Sequence, residues 1–220
     1  MKKAKVLTAA LVAGLLTMGA GYAAWTDNLN ITNVIQTGEL AATFTSASAS
    51  GDAYVTANAS AIAPTGRTNS INFTIQNLYP GAGATLNASF KNDGTIPAKI
   101  GSVAVTYNPL NETAPNGYTA ISQTDYSKIK VSGNVTVYKA DRTKIVKSVD
   151  TSLAGLQAAL NTQLSGVQLE PAQGSTPTEY VSFENLKVSL DSATGTAQKP
   201  NELEKSWIKF KVDFNLVQHN

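Results

Sequence analysis

Between Ser70 and Tyr107 apolar and polar side chains alternate with a period of two, and any fold of this chain has to satisfy that alternation. Ile71, Phe73 and Ile75 alternate with Asn72, Thr74 and Gln76. An extended chain turns successive side chains to opposite faces, so the pattern predicts a strand with one face in a core and one in water. Tyr79-Pro80-Gly81 then predicts a β-turn. Pro presets φ at its second position, and Gly accepts the positive φ that a type II turn needs at its third. Leu86, Ala88 and Phe90 continue the inward set, and Asn92-Asp93-Gly94 marks a second turn. A third strand carries Ala98 and Ile100, then Val103, Val105 and Tyr107. Its phase slips at Gly101-Ser102, which predicts a β-bulge. The stretch reads as three consecutive antiparallel strands.

The chain has 220 residues, enough for one β domain with a sizeable core. Apolar residues at 42% exclude a disordered chain, and charged residues at 15% fall below the usual quarter. The formal net charge of +2 becomes −1 once Lys2, Lys3 and Lys5 are set aside with the leader. No electrostatic case for nucleic acid survives that subtraction. There is no cysteine, so stability has to come from packing or assembly rather than from disulfides.

Residues 1–23 read as a secretory signal. Lys2, Lys3 and Lys5 form its basic start, and Val6 to Met18 is apolar but too short for a stable anchor. The other reading of that run is a buried N-terminal helix. Gly21 and Ala23 put small residues at the cleavage positions, so signal peptidase is expected to cut between Ala23 and Ala24. The mature chain would then be secreted, with no membrane anchor. After it, Trp25, Leu29 and Ile31 share one face with Asp27, and Thr37-Gly38 breaks the pattern. This divides the chain into a signal (1–23), an N-terminal segment (24–38) and a β domain (39–220).

Farther on, residues 108–127 read as an excursion loop. Ile129, Val131, Val135 and Val137 alternate again, with Gly133 inside. Leu153, Leu156, Leu160 and Leu164 then follow the spacing of an amphipathic helix, expected near 152–165. Thr151 or Ser152 would cap its start and Gly166 would end it. Such a helix is expected to cover an edge or open end of the sandwich. Tyr180 to Leu190 is a strand with a slip between Phe183 and Leu186, and Ile208, Phe210, Val212, Phe214 and Leu216 form the cleanest strand of the chain. Phe73, Phe90, Phe210 and Phe214 are expected between two sheets. The pattern as a whole predicts an all-β antiparallel two-sheet sandwich with one helix.

The string NLYPGAGATLNASFKNDGTIPAKI resembles the Leu-x-Pro-Gly…Phe-x-Asn-x-Gly-Thr/Ser block of the TasA/camelysin family of secreted biofilm-matrix fibre proteins. Ala24-Trp25-Thr26-Asp27 is similar to that family's mature start, and Thr37-Gly38-Glu39-Leu40 with Ala42 and Phe44 to its first core strand, whose Leu40, Ala42 and Phe44 should face inward. The C-terminal strand resembles the family's last. The resemblance implies a jelly-roll fold and export with a SipW-type signal peptidase. It also implies fibres of copies of the chain joined by donor-strand exchange. Trp25, Asp27, Leu29 and Ile31 would then form the donor strand, with Thr37 and Gly38 as its hinge.

Residues that carry catalysis are missing from the sequence. The single histidine, His219, lies next to the C-terminus, and no His-Glu-x-x-His occurs. A zinc-protease reading, raised by the resemblance to camelysin, therefore lacks its ligands. Asn92-Asp93-Gly94 reads as a plain turn before it reads as a cation site. No catalytic residue, cofactor or metal is expected. The expected function is a structural subunit of extracellular fibres. The rivals are a camelysin-like cell-surface metalloprotease and a monomeric surface-binding module.

Overall fold

The computed structural model describes residues 38–62, 70–107, 113–172, 178–191, 203 and 205–219. Two antiparallel sheets face each other. One takes β1 (Ala42–Gly51), β4 (Gly83–Asn92), β10 (Tyr180–Leu190), β7 (Ile129–Tyr138) and β8 (Lys144–Ser152), in the order β1-β4-β10-β7-β8. The other runs β2 (Thr56–Ile62), β3 (Ser70–Leu78), β11 (Ser206–Gln218), β5 (Ala98–Tyr107) and β9 (Gln168–Leu169). The two-residue β6 (Thr119–Ala120) pairs in parallel with the start of β11. Among the described residues one α-helix, α1 (Leu156–Leu164), follows β8.

Eight of these strands, β3 to β5 and β7 to β11, make a jelly roll. Numbered along the chain, the first, eighth, third and sixth form one sheet, and the second, seventh, fourth and fifth form the other. β1 and β2 extend the sheets beyond β4 and β3. This topology corrects one expectation. β3, β4 and β5 are consecutive strands but none pairs with another: β4 belongs to one sheet, β3 and β5 to its partner. Alternation specifies which face of a strand is buried, not which layer the strand joins. The Tyr79-Pro80-Gly81 turn does form, with Ala82 N donating to Tyr79 O at 3.0 Å and Gly81 at φ 86. It carries the chain across the sandwich instead of closing a hairpin.

The expected core is where the alternation put it. Phe73, Phe90, Phe210 and Phe214 are buried. Phe90 of β4 meets Phe214 of β11 at 4.0 Å between ring centroids, and Phe73 meets Phe210 at 5.2 Å. Phe44 packs on both Phe90 and Phe214. Ala42 and Phe44 face inward as expected, whereas Leu40 is 37% exposed, because β1 begins only at Ala42. The bulge in β5 falls at Gly101, since Ile100 and Ser102 pair with the adjacent Leu216 and Asn215. The slip in β10 between Phe183 and Leu186 is likewise a shift of register.

Leu153, Leu156, Leu160 and Leu164 are all fully buried. A short 3₁₀ turn over Leu153–Gly155 precedes α1, and Ser152 Oγ accepts from Gly155 N at 3.3 Å. The helix lies against β5, and two side chains on it do the work of a neighbouring strand. Asn161 accepts from Val103 N at 2.9 Å and donates to Val103 O at 2.7 Å, and Gln157 accepts from Val105 N at 3.0 Å. Gly166 N donates to Ile100 O and Ile100 N to Val167 O. β9 pairs with Ala98 and Lys99. The outer edge of β5 is therefore satisfied along most of its length, which removes it as a template for another chain.

Candidate functional site

Three sheet edges carry no such cover among the described residues: β1, β2 and β8. The first two differ in kind from the third. The inward side chains of β1 and β2 include Ala47, Ala49, Ala57 and Ala59, half-buried and packed on the core. Small residues there let the two sheets approach.

β8 is the opposite case. Its pairing with β7 sets Ile145 beside Val137, Lys147 beside Val135 and Val149 beside Gly133. Val135 and Val137 are buried, so Ile145, Lys147 and Val149 share the inner face. The facing sheet has only the two residues of β9 at this flank. Ile145 is consequently 42% exposed although it points inward, and Val146 on the outer face is 59% exposed. A groove of about 250 Å³ opens there, between Val137 of β7, Lys139 just after it, Ile145 and Lys147 of β8, and residues 166–168. Among the described residues no hydrogen bond reaches the outward backbone groups of Lys144–Thr151.

Two arrangements anchor the strands beside this edge. On the outer face a cross-strand row runs Lys91, Tyr180, Tyr138, Lys144 through β4, β10, β7 and β8. The two rings stack at 4.3 Å and 9°, and Lys144 Nζ lies 5.0 Å from the Tyr138 centroid. Tyr138 donates its hydroxyl to Glu184, which also accepts from Thr136 at 2.9 Å. That hydrogen bond, reinforced by burial, pushes the Tyr138 hydroxyl up to about 12. At the turn end, buried Glu179 accepts from Lys139 Nζ at 3.0 Å, from Glu170 N at 3.0 Å and from Ala140 N at 3.3 Å. Lys139 also donates to Gln168 O at 2.6 Å. The charge of Lys139 is thus compensated. Lys147, the other lysine of the groove, has no ion-pair partner among the described residues.

Of the residues singled out from the sequence, Ala23, Ala24, Trp25, Asp27, Leu29, Ile31 and Thr37 lie outside the described residues. Gly38 is described and exposed. A Cβ there would meet Ile96 Cγ2 at 2.1 Å, so a larger residue would have to displace the Ile96 side chain. The chain then runs alongside that loop, with Asp93 N donating to Ala41 O, Thr95 N to Glu39 O and Glu39 N to Thr95 Oγ1. Asn92-Asp93-Gly94 is a turn in the structure: Asn92 Oδ1 accepts from Gly94 N, and Asp93 pairs with Lys91 at 2.9 Å. No three His, Cys, Asp or Glu side chains among the described residues come together as a metal site. The β8 edge was missed in the sequence because Lys144-Ile145-Val146 reads as any short strand; its one signal is two adjacent large aliphatics directly after a turn. No family model and no curated protein matches the chain.

Proposed function

We propose that this chain is an extracellular structural subunit that polymerises head to tail. Its N-terminal segment, from Ala24 to about Val34, leaves its own copy and adds as a strand to β8 of the next. The observation that carries this reading is the β8 edge: without a backbone partner among the described residues, and flanked by exposed Ile145 and Val146 over an open groove. Natural sandwiches protect such edges; here α1 covers the edge of β5, while among the described residues no backbone group pairs with the outer edge of β8. Strand addition matches the need, since main-chain bonds along the edge give affinity and alternate side chains set register. The contact is heterologous, so it propagates instead of closing.

The segment fits the groove in kind. Trp25, Leu29 and Ile31 alternate along it, and the resemblance of its start to the TasA/camelysin family points the same way. Burying the three side chains contributes about 1.5–3 kcal/mol each before ordering costs. Cleavage after Ala23 would free the segment only on export, coupling assembly to secretion. A metalloprotease would need ligands that one histidine does not provide.

The test is the chain lacking Ala24 to Ile31. It should be secreted as a folded monomer with a cooperative melt and should form no filaments by electron microscopy. Normal filaments from the truncated chain would refute the reading.

A further inference from the structure

The β8 groove holds one charge that nothing described compensates, and the proposed occupant holds one charge in a matching place. On the inner face of β8 the order is Ile145, Lys147, Val149: aliphatic, cation, aliphatic at spacings of two. On the apolar face of the N-terminal segment the order is Trp25, Asp27, Leu29: apolar, anion, apolar at the same spacings. We propose that Asp27 of one copy pairs with Lys147 of the next, and that this pair fixes the register of the added strand. The inference rests on the reading of β8 as the acceptor edge.

Because the charge is central in both triplets, Asp27 falls opposite Lys147 whether the added strand runs parallel or antiparallel. A slip by two residues would put Asp27 against Ile145 or Val149 and Trp25 or Leu29 against Lys147, leaving each charge covered without a partner. A slip by one residue would turn the whole apolar face of the segment to solvent. An unpaired inward lysine on an edge strand also repels any other strand whose inward face is wholly apolar or basic. The same residue thereby admits the proper occupant and excludes chance ones. The neighbouring Lys139 does not compete for Asp27, because Glu179 already holds it.

The experiment measures the critical concentration for filament formation of the chain beginning at Ala24, at low and high salt. Lys147→Glu and Asp27→Lys should each raise it by about tenfold or more, the scale on which loss of one well-placed charge partner acts. The double variant Asp27→Lys with Lys147→Glu should recover most of the wild-type value. Lys147→Met, which keeps the stem and drops the charge, should weaken assembly and abolish its salt dependence. The monomer melts of all four should match wild type, since Lys147 lies at an open edge. Single reversals that assemble like wild type, or a double variant no better than the singles, would overturn the pairing. If the charge variants fail and the chain lacking Ala24 to Ile31 makes no filaments, the donor-strand reading stands and only the register pair on β8 is lost; if that chain polymerises, the donor-strand reading itself has failed.

Discussion

Phe90→Ala is expected to lower the stability of the folded subunit by about 3–5 kcal/mol. Phe90 is buried at the meeting point of the two sheets. Its ring lies 4.0 Å from Phe214 of the facing sheet and 5.8 Å from Phe44 of the neighbouring strand. Truncation removes the transfer energy of a phenyl ring and leaves a cavity that two β-sheets, fixed by their ladders, cannot collapse to fill. A domain of this kind has about 5–15 kcal/mol in total, so the variant should sit near the threshold of folding. The urea midpoint should fall with an unchanged slope. A loss below about 1 kcal/mol would mean that the two layers are not interlocked at this ring.

The second large effect is expected at Asn92. Its side chain is fully buried and every polar atom is used. Nδ2 donates to Ile96 O at 2.8 Å and to Leu169 O at 3.1 Å, while Oδ1 accepts from Gly94 N at 3.0 Å. Asn92 therefore ties the end of β4, the 93–97 crossing and β9 into one unit. Asn92→Ala leaves three backbone groups without partners, and each such group costs about 1–3 kcal/mol when buried. A total of about 3–5 kcal/mol is expected after partial relaxation. Asn92→Asp separates hydrogen bonding from volume. It keeps the shape but turns the donor into an acceptor facing two carbonyls, so it should be at least as damaging as alanine at neutral pH. A near-neutral Asn92→Asp would show that the three bonds contribute little.

These two residues mark what the sequence disclosed and what it did not. Phe90 was legible because a period of two is a local signal, and Phe73, Phe210 and Phe214 were found by the same rule. The helix was legible from the spacing of Leu153, Leu156, Leu160 and Leu164, and its start from Ser152. Asn92 read only as a turn residue, because one of its partners, Leu169, lies 77 positions along the chain. The leucine spacing assigns no role to Gln157 and Asn161, and only the path of β5 beneath them gives their amides a purpose. The partition of β3, β4 and β5 between two layers was invisible for a related reason: it depends on pairing with β10 and β11, which come far later in the chain. The β8 edge followed the same rule, since Ile145 is conspicuous only once the facing sheet is seen to stop at β9.

That edge is where the account of assembly stands or falls, and backbone hydrogen exchange reads it directly. Amides of Lys144 to Ser148 that point away from β7 have no partner among the described residues and should exchange fast in the monomer. In filaments the same amides should become slow, while β1 and β2 keep their monomer rates. Filaments in which residues 144–148 exchange as fast as in the monomer, or in which new protection appears on β1 or β2 instead, would contradict strand addition at β8.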